Sequence, residues 1–448
     1  MKHAALGENV TRDALARWYR ESRVRTEQLF EIPSDEVYYE RPIALRNPII
    51  FYEGHLPAFS INTLIKLALR RRGINDQFEI LFARGIDPAD EAAAKSPTDI
   101  WPQRADVLAY GRTADSLIES ALANDTLVND AIPQLRGAEA VFAILEHEQM
   151  HHETLLYMFH NLPFGEKRAR PPLVSGVPPS SFNAAANGLV DIPAGLATLG
   201  ATRDAIGFGW DNEFPQQQLD VEAFAIQRHN ATNGDFLEFI AAGGYGSSEL
   251  WSDEGWRWVQ SSHAHHPYFW LSVDDEWFWR GMFELIPLPP DWPVYVTHAE
   301  ADAYARWRGM RLPTEAEYHR AAFGTPSGEE RQFPWGEEGP DATRGNFGFI
   351  SWDPLPVGSF PAGASAWGVH DLVGNGWEWT STKFDGFPGF EPMPSYPVYS
   401  NDFFDGQHFV MKGASPATAL ELIRRSLRNW FRPTYPYVYA TFRCVTTA

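Results

Sequence analysis

Apolar side chains recur at three- and four-residue intervals along much of the first 170 residues, which is the repeat of amphipathic α-helices. The pattern is strongest over Asn47–Arg72 and Gly137–His160, and two further helices are predicted near Thr11–Phe30 and Ala105–Asn124. The first strong stretch ends in three arginines followed by Gly73, a common way for a helix to stop. Four helices of this kind predict a helical bundle over residues 1–170.

The pattern changes after the predicted bundle. Residues 171–188 are rich in proline, serine, alanine and glycine, which predicts a linker. Beyond it, short apolar or aromatic runs are interrupted every few residues by glycine, asparagine, aspartate or proline. Helical spacing returns at Asn233–Ala242 and at Ala299–Arg308, which leads to Ala316–Phe323. We therefore predict an irregular α+β domain with long loops over residues 189–448.

Composition narrows the classes of protein. A chain of 448 residues with 44% hydrophobic and 14% aromatic residues can form more than one packed core. Its formal charge of −21 disfavours nucleic acid and anionic membranes as partners. The sequence contains no apolar run of about 18 residues that would predict a transmembrane helix, and no secretory signal. Cys444 is the single cysteine, which excludes an internal disulfide and is compatible with a reducing compartment. We therefore expect a cytoplasmic protein. Since nucleic acid and membranes are disfavoured, we expect it to act on small molecules.

The fourth predicted helix carries the sequence His147-Glu148-Gln-Met-His151-His152-Glu153. Residues four apart lie about 40° apart around a helix, so His147 and His151 can bind one metal ion from the same face. Glu153 projects from another face and suits a supporting hydrogen bond better than ligation. The same letters match the H-E-x-x-H motif of zinc proteases, with Glu148 as general base. Two buried structural histidines would also explain the pattern, so the motif alone leaves these alternatives open.

A metal site inside a bundle needs a ligand from a second helix. His55 is the best candidate because it lies among apolar residues, in Phe-Tyr-Glu-Gly-His-Leu-Pro, near the start of the second predicted helix. Three neutral imidazoles would suit Fe(II), zinc or copper and would leave positions for substrate and dioxygen.

Many ordered motifs accompany these histidines. In the first domain they are Gly54-His55 and the H-x-x-x-H-x-E pattern of residues 147–153. In the second domain they include Asp211–Pro215, Thr232–Phe239, Arg311–Glu317, Gly374–Thr380, Lys412–Ser415, Arg428–Trp430 and Phe442–Cys444. On these motifs the chain resembles, over nearly its full length, the ergothioneine-biosynthesis sulfoxide synthases and the related selenoneine synthases. The resemblance implies an N-terminal DinB-like four-helix bundle followed by a formylglycine-generating-enzyme-like, C-type-lectin-related α+β domain.

The resemblance also implies a reaction. Fe(II) held by His55, His147 and His151 would bring together dioxygen, a thiol or selenium donor and hercynine, the trimethylated betaine of histidine. A carbon–sulfur or carbon–selenium bond then forms on the imidazole of hercynine and gives a sulfoxide or selenoxide. Asn429 and Trp430 match the family segment that binds hercynine, and an aromatic face suits its trimethylammonium group.

The sequence departs from the family in four ways. It has no tyrosine between Tyr52 and Tyr110, where another subgroup carries a tyrosine pair. Phe384 stands where some sulfur-using members have a tyrosine that donates a proton, so no catalytic side chain is assigned. Phe431 replaces an acidic residue that often follows Asn-Trp, and Met150 replaces a glutamine. Because a selenol is more acidic than a thiol and needs less help with its proton, these changes slightly favour a selenium donor.

Other functions stay open at this point. A zinc hydrolase could use the H-E-x-x-H-like helix, and a non-catalytic binding module could carry structural histidines. The copper chemistry of formylglycine-generating enzymes requires a cysteine pair, and Cys444 alone cannot supply one.

Overall fold

The computed structural model describes residues 11–83, 101–168, 170, 171, 173 and 188–447. The chain forms two compact units. The helical unit extends to Pro172 and also includes Met393–Pro397, whereas the α+β unit comprises Leu173–Pro392 and Val398–Ala448. Most of the predicted linker, 171–188, lies outside the described residues.

The helical unit is built from helices that match the four predicted ones, with one short addition. Their bounds are α1 Arg12–Phe30, α2 Ile49–Ser60, α3 Asp76–Leu81, α4 Arg104–Asn124 and α5 Glu139–His160. Helix α1 packs on α5, and α2 packs on α4 and α5. Every residue of α2 is buried, so this helix forms the centre of the bundle. The predicted helical N-terminal region is therefore confirmed.

The second predicted helix differs in detail. After Ser60 the chain widens into a π-helix over Ile61–Ala68, and it leaves the helix at Arg70, which has φ of 54°. The predicted end at Arg72 is therefore a few residues too late. The basic residues before Gly73 lie beyond the end of the helix. Glu79 of α3 accepts hydrogen bonds from the backbone N–H groups of Ile74 and Asn75, which follow Gly73.

The α+β unit is irregular, as predicted. Its strands are β1 Leu189–Ile192, β2 Gly195–Leu199, β3 Gln217–Val221, β4 Phe224–Gln227, β5 Trp270–Val273, β6 Glu276–Arg280, β7 Leu285–Pro287, β8 Gly376–Lys383, β9 Phe409–Ala414, β10 Asn429–Phe431, β11 Ala440–Thr441 and β12 Val445–Thr447. Its helices are α6 Asn233–Ala241, α7 Asp253–Ser262, α8 His298–Trp307 and α9 Glu315–Phe323. The sequence pattern missed α7, a helix of 10 residues in which only Gly255 and Val259 are buried.

One sheet carries the segment that resembles the hercynine-binding motif. Its order is β10-β9-β8-β11, with β10 antiparallel to β9 and at the edge. Lys412 on β9 donates to the carbonyls of Arg425 (3.1 Å) and Leu427 (2.6 Å), just before β10 begins. Arg428 forms an ion pair with Glu315, with 3.0 Å between Nε and Oε1. These contacts of buried charged side chains hold the backbone that enters β10.

Within the described residues, no helix is both long and apolar enough to cross a membrane.

Candidate metal centre

The three histidines predicted to bind metal converge inside the helical unit. His147 and His151 project from the same face of α5, with 4.5 Å between ring centroids. His55 on α2 lies 5.0 Å from the ring of His147 and 4.9 Å from that of His151. One nitrogen from each ring lies within 4.8 Å of the other two. The cluster found among the described residues consists of these three histidines alone.

A backbone carbonyl sets the orientation of His55. Its Nδ1 lies 2.9 Å from the carbonyl oxygen of Phe82, which can only accept, so Nδ1 carries the proton. The lone pair is then on Nε2, which lies 3.3 Å from Nε2 of His147. Gly54 makes this arrangement possible, because a Cβ at that position would come within 2.5 Å of the Phe82 ring. The Gly-His pair in the sequence therefore has a steric reason.

Aromatic rings line the cluster. Phe59 stacks on His147 at 3.5 Å between centroids and 7° between planes. Phe51 stacks on His55 at 5.0 Å, and Tyr52 lies 5.8 Å from His151. These contacts restrict the rotation of the imidazoles and surround them with apolar surface.

Burial keeps the imidazoles neutral. Desolvation lowers the pKa of His55 to about 4, and it holds the pKa values of His147 and His151 well below the usual range. The neighbouring imidazoles lower the pKa values of His147 and His151 further. Nδ1 of His151 is buried and has no hydrogen-bond partner. Neutral, converging nitrogens with one left unsatisfied are suited to a metal cation, so the residues present fit such an ion.

The glutamate of the H-E-x-x-H-like sequence does not join the cluster. Glu148 is buried and accepts hydrogen bonds from Arg23 (2.9 Å) and from Thr26 (2.5 Å), both on α1. Thr26 also bonds the ring of His152 at 2.8 Å. A carboxylate held by a guanidinium and a hydroxyl is poorly available as a general base, which disfavours the zinc-hydrolase alternative.

The two other predicted residues of α5, Met150 and Glu153, are partly exposed. Glu153 contributes no atom to the histidine cluster, and its supporting role stays a prediction.

The remaining predicted substrate residues lie in the α+β unit. Trp430 stacks on the fully buried Phe384 at 4.0 Å and 6°. Tyr399 lies 5.4 Å from the Trp430 ring. Asn429 uses its side-chain oxygen to accept the backbone N–H of Trp430 at 2.8 Å. Phe431 instead stacks on Tyr435 at 5.0 Å, because successive side chains of a strand point to opposite faces.

A tyrosine that sequence reasoning missed lies beside the histidines. Tyr396 belongs to the Met393–Pro397 segment of the helical unit. Its ring centroid is 5.2 Å from that of Phe59 and 6.3 Å from that of His147. The family position at which a tyrosine was expected is Phe384, twelve residues earlier in the chain. The only local signal at Tyr396 is a pair of flanking prolines, which predicts a turn and no chemistry.

Comparison with known proteins agrees with this architecture. The DinB superfamily model matches residues 19–155, and the sulfatase-modifying factor enzyme 1-like domain model matches residues 175–448. The chain is 35% identical to a hercynine oxygenase of Mycolicibacterium smegmatis, over 97% of this chain and 99% of the relative. It is 38% identical to a hercynine oxygenase of Mycobacterium tuberculosis, over 70% of this chain and 72% of the relative.

A longer fungal protein is also similar. Ergothioneine biosynthesis protein 1 of Neurospora crassa is 29% identical over 92% of this chain and 55% of its own length. With both domain models matched in order and a relative matched end to end, the chain belongs to the ergothioneine-biosynthesis sulfoxide synthase family, which includes the hercynine oxygenases.

Proposed function

We propose that the protein is a hercynine oxygenase that joins sulfur or selenium to the imidazole of hercynine in a dioxygen-dependent reaction. The product would be a sulfoxide or a selenoxide. Two similar proteins, from two mycobacterial species, are named hercynine oxygenase, and their similarity covers 97% and 70% of this chain. The convergence of three neutral imidazoles from α2 and α5, two of them buried and His151 half-buried, is the single observation that carries the proposal.

We assign Fe(II) to His55, His147 and His151. Neutral imidazoles are ligands that iron accepts, and three protein ligands leave positions open for reactants. When bound, the ion would supply those open positions and the redox chemistry that dioxygen needs. The chain itself orients the imidazoles through the Phe82 carbonyl and shields them with the Phe51 and Phe59 rings.

Tyr396 is the proposed proton donor. Its phenolic hydroxyl carries a proton that it can donate. The ring lies against the two aromatic groups that form one wall of the histidine cluster, Phe59 and His147. Since the tyrosine expected at Phe384 is absent, Tyr396 fills the role that the sequence left unassigned.

Trp430 and its aromatic neighbours are the proposed binding site for the trimethylammonium group of hercynine. Quaternary ammonium groups bind aromatic faces because they cannot donate conventional hydrogen bonds. Trp430 has Phe384, Tyr399 and Phe403 within 5.6 Å between ring centroids. Asn429 supports this site by bonding the Trp430 backbone. Phe431 and Met150 remain proposed substrate contacts.

The proposal covers both sulfur and selenium as the atom that the donor supplies. The preference for selenium depended partly on the lack of a proton-donating tyrosine. Tyr396 beside His147 weakens that reason, because a phenol could assist a thiol donor as well.

The test is anaerobic loading with Fe(II), followed by dioxygen and hercynine, with cysteine, γ-glutamylcysteine or a selenosugar supplied in parallel. Mass spectrometry of the products would identify the adduct. We expect an adduct with one donor, and we expect His147→Ala to abolish it.

His152→Ala is the matched control, because it removes a buried imidazole from the same helix but outside the cluster. Retained activity in this variant would show that the loss in His147→Ala is specific to the cluster. The absence of any adduct from iron-loaded protein would contradict the proposed reaction.

A further inference from the structure

The segment that carries Tyr396 is anchored to the helix that carries His147. Glu139, in the first turn of α5, accepts two hydrogen bonds on Oε1 from Ser395. One comes from the Ser395 backbone N–H at 2.9 Å and the other from its hydroxyl at 2.7 Å. Hydrogen bonds to a carboxylate are about twice as strong as those between neutral groups.

Burial supports the same anchor. Ser395 is 4% exposed and Met393 is 1% exposed, so the segment is packed as well as hydrogen-bonded. Gln134 adds a weaker contact, in which its Nε2 lies 3.5 Å from the carbonyl oxygen of Pro394. Tyr396 itself is only half-buried. The anchoring groups therefore precede the tyrosine directly in the chain.

Helix α5 connects the anchor to the metal ligands. Glu139 and His147 are eight residues apart on one continuous α-helix, which corresponds to a rise of about 12 Å. A helix is a rigid spacer, so a group bonded to Glu139 has a fixed relation to His147. Tyr396 is the next residue after the one that Glu139 bonds, and its ring lies 6.3 Å from His147.

We propose that Glu139 and Ser395 form a clamp that positions the Tyr396 hydroxyl at the histidine cluster. Both are positioning residues: they act through Tyr396 and take no part in holding the metal. The inference rests on the proposed function, in which Tyr396 supplies a proton, and it adds the groups that determine where that proton is held. Mutation of the clamp should slow turnover while metal and hercynine binding stay intact.

The first test measures turnover in Ser395→Ala and Glu139→Ala. We expect kcat to fall about tenfold or more, the scale expected for a misplaced reacting group, while the KM for hercynine changes less than twofold. The double variant should lose little more than either single variant, because both remove one interaction. Ser395→Thr keeps the hydroxyl and should restore most of the rate. Co(II) affinity, measured without turnover, should match wild type.

Tyr396→Phe separates positioning from general damage. If the clamp acts through the phenol, adding Ser395→Ala to Tyr396→Phe should lower kcat no further. An equal loss in both backgrounds would overturn the proposal. Glu391→Gln is the control variant, because Glu391 is an exposed carboxylate two residues before Met393 and outside the clamp.

A second measurement does not depend on activity. Hydrogen exchange at the Ser395 amide should accelerate at least about tenfold in Glu139→Ala, because its acceptor is gone, while amides of α2 keep their protection. Unchanged exchange would overturn the clamp even if the protein turned over no substrate. Conversely, the Ser395 amide could exchange faster in Glu139→Ala although the wild-type protein forms no hercynine adduct. That result would support the Glu139–Ser395 contact and reject the proposed reaction.

Discussion

Helix α5 presents two faces that share residue types but differ in how their polar groups are satisfied. His147 and His151 meet His55 on one face, where none of the acidic side chains that the structure describes joins the cluster and Nδ1 of His151 has no hydrogen-bond partner. Glu148 and His152 lie on another face, where Thr26 bonds both of them. The polar groups of the second face bond one another, whereas the nitrogens of the first face converge in a way that suits a cation. A candidate binding site is distinguished from a structural network by whether its buried polar atoms have hydrogen-bond partners, and not by its residue types.

The α+β unit offers a useful contrast to the first face. His298 is buried, its Nε2 has no hydrogen-bond partner, and its ring stacks on Phe409 at 3.7 Å. It belongs to no metal-binding cluster within the described residues. An unsatisfied buried nitrogen is therefore informative only when other ligands converge on the same point.

The largest effect expected from this comparison is on metal affinity. His151→Ala should weaken metal binding by more than about a hundredfold, beyond the usual cost of losing a supporting group around a ligand. His152→Ala should leave affinity nearly unchanged, because its imidazole bonds Thr26. Titration with Co(II) under anaerobic conditions would measure both. An equal loss of Co(II) affinity in the two variants would contradict the assignment of metal binding to one face of α5.

A large effect on stability is expected on the other face. Arg23→Met leaves the buried carboxylate of Glu148 without its cationic partner and should lower the free energy of unfolding by about 3 kcal/mol. Urea denaturation would measure this loss. The double variant Arg23→Met with Glu148→Gln should recover part of it, because no unpaired charge remains. Metal affinity should stay within twofold of wild type in both, and a parallel loss of affinity would show that the faces are coupled.

A smaller effect concerns the support of His55. The carboxylate of Glu79 binds Lys66 (2.8 Å) and the N–H groups of Ile74 and Asn75, which fixes the turn before α3 and hence Phe82 at its end. Glu79→Gln should lower metal affinity about tenfold, the usual scale for a supporting group. The control is Asp76→Asn, whose exposed carboxylate also pairs with Lys66. If both variants behave alike, the ion pair and not the turn controls His55.

The last effect is on stability and is absent at neutral pH, because it appears only on acidification; it concerns His298. Burial lowers the pKa of His298 to about 3, whereas the unfolded chain has the ordinary value near 6.5. Between these values the unfolded state binds more protons, so stability is lost as pH falls from 6.5 towards 3. His298→Phe should remove this part of the slope and leave metal affinity unchanged. Denaturation midpoints measured from pH 7 to pH 4 would show a flatter profile, and an identical slope would contradict the assignment.

Much of the framework could be predicted from local sequence. The helices of the bundle follow from apolar spacing, and the His147–His151 pair follows from the four-residue repeat of a helix. His55 required a further step, since only its apolar setting and the family motif pointed to α2. Helix α7 was missed because it is only 10 residues long, although Ser252, which caps it by accepting from Gly255 N–H, and the four-residue spacing of Gly255 and Val259 are both present in the sequence.

The sequence by itself determined the two kinds of domain, their order, the three converging histidines and the family. Tertiary structure alone decided that Glu148 is bonded to Arg23, that the Phe82 carbonyl orients His55, and that Tyr396 lies beside His147. The physical reason is the range of the interactions. Periodicity and helix-face geometry act within a few residues, whereas the Glu139–Ser395 contact joins positions 256 apart and depends on how the whole chain packs.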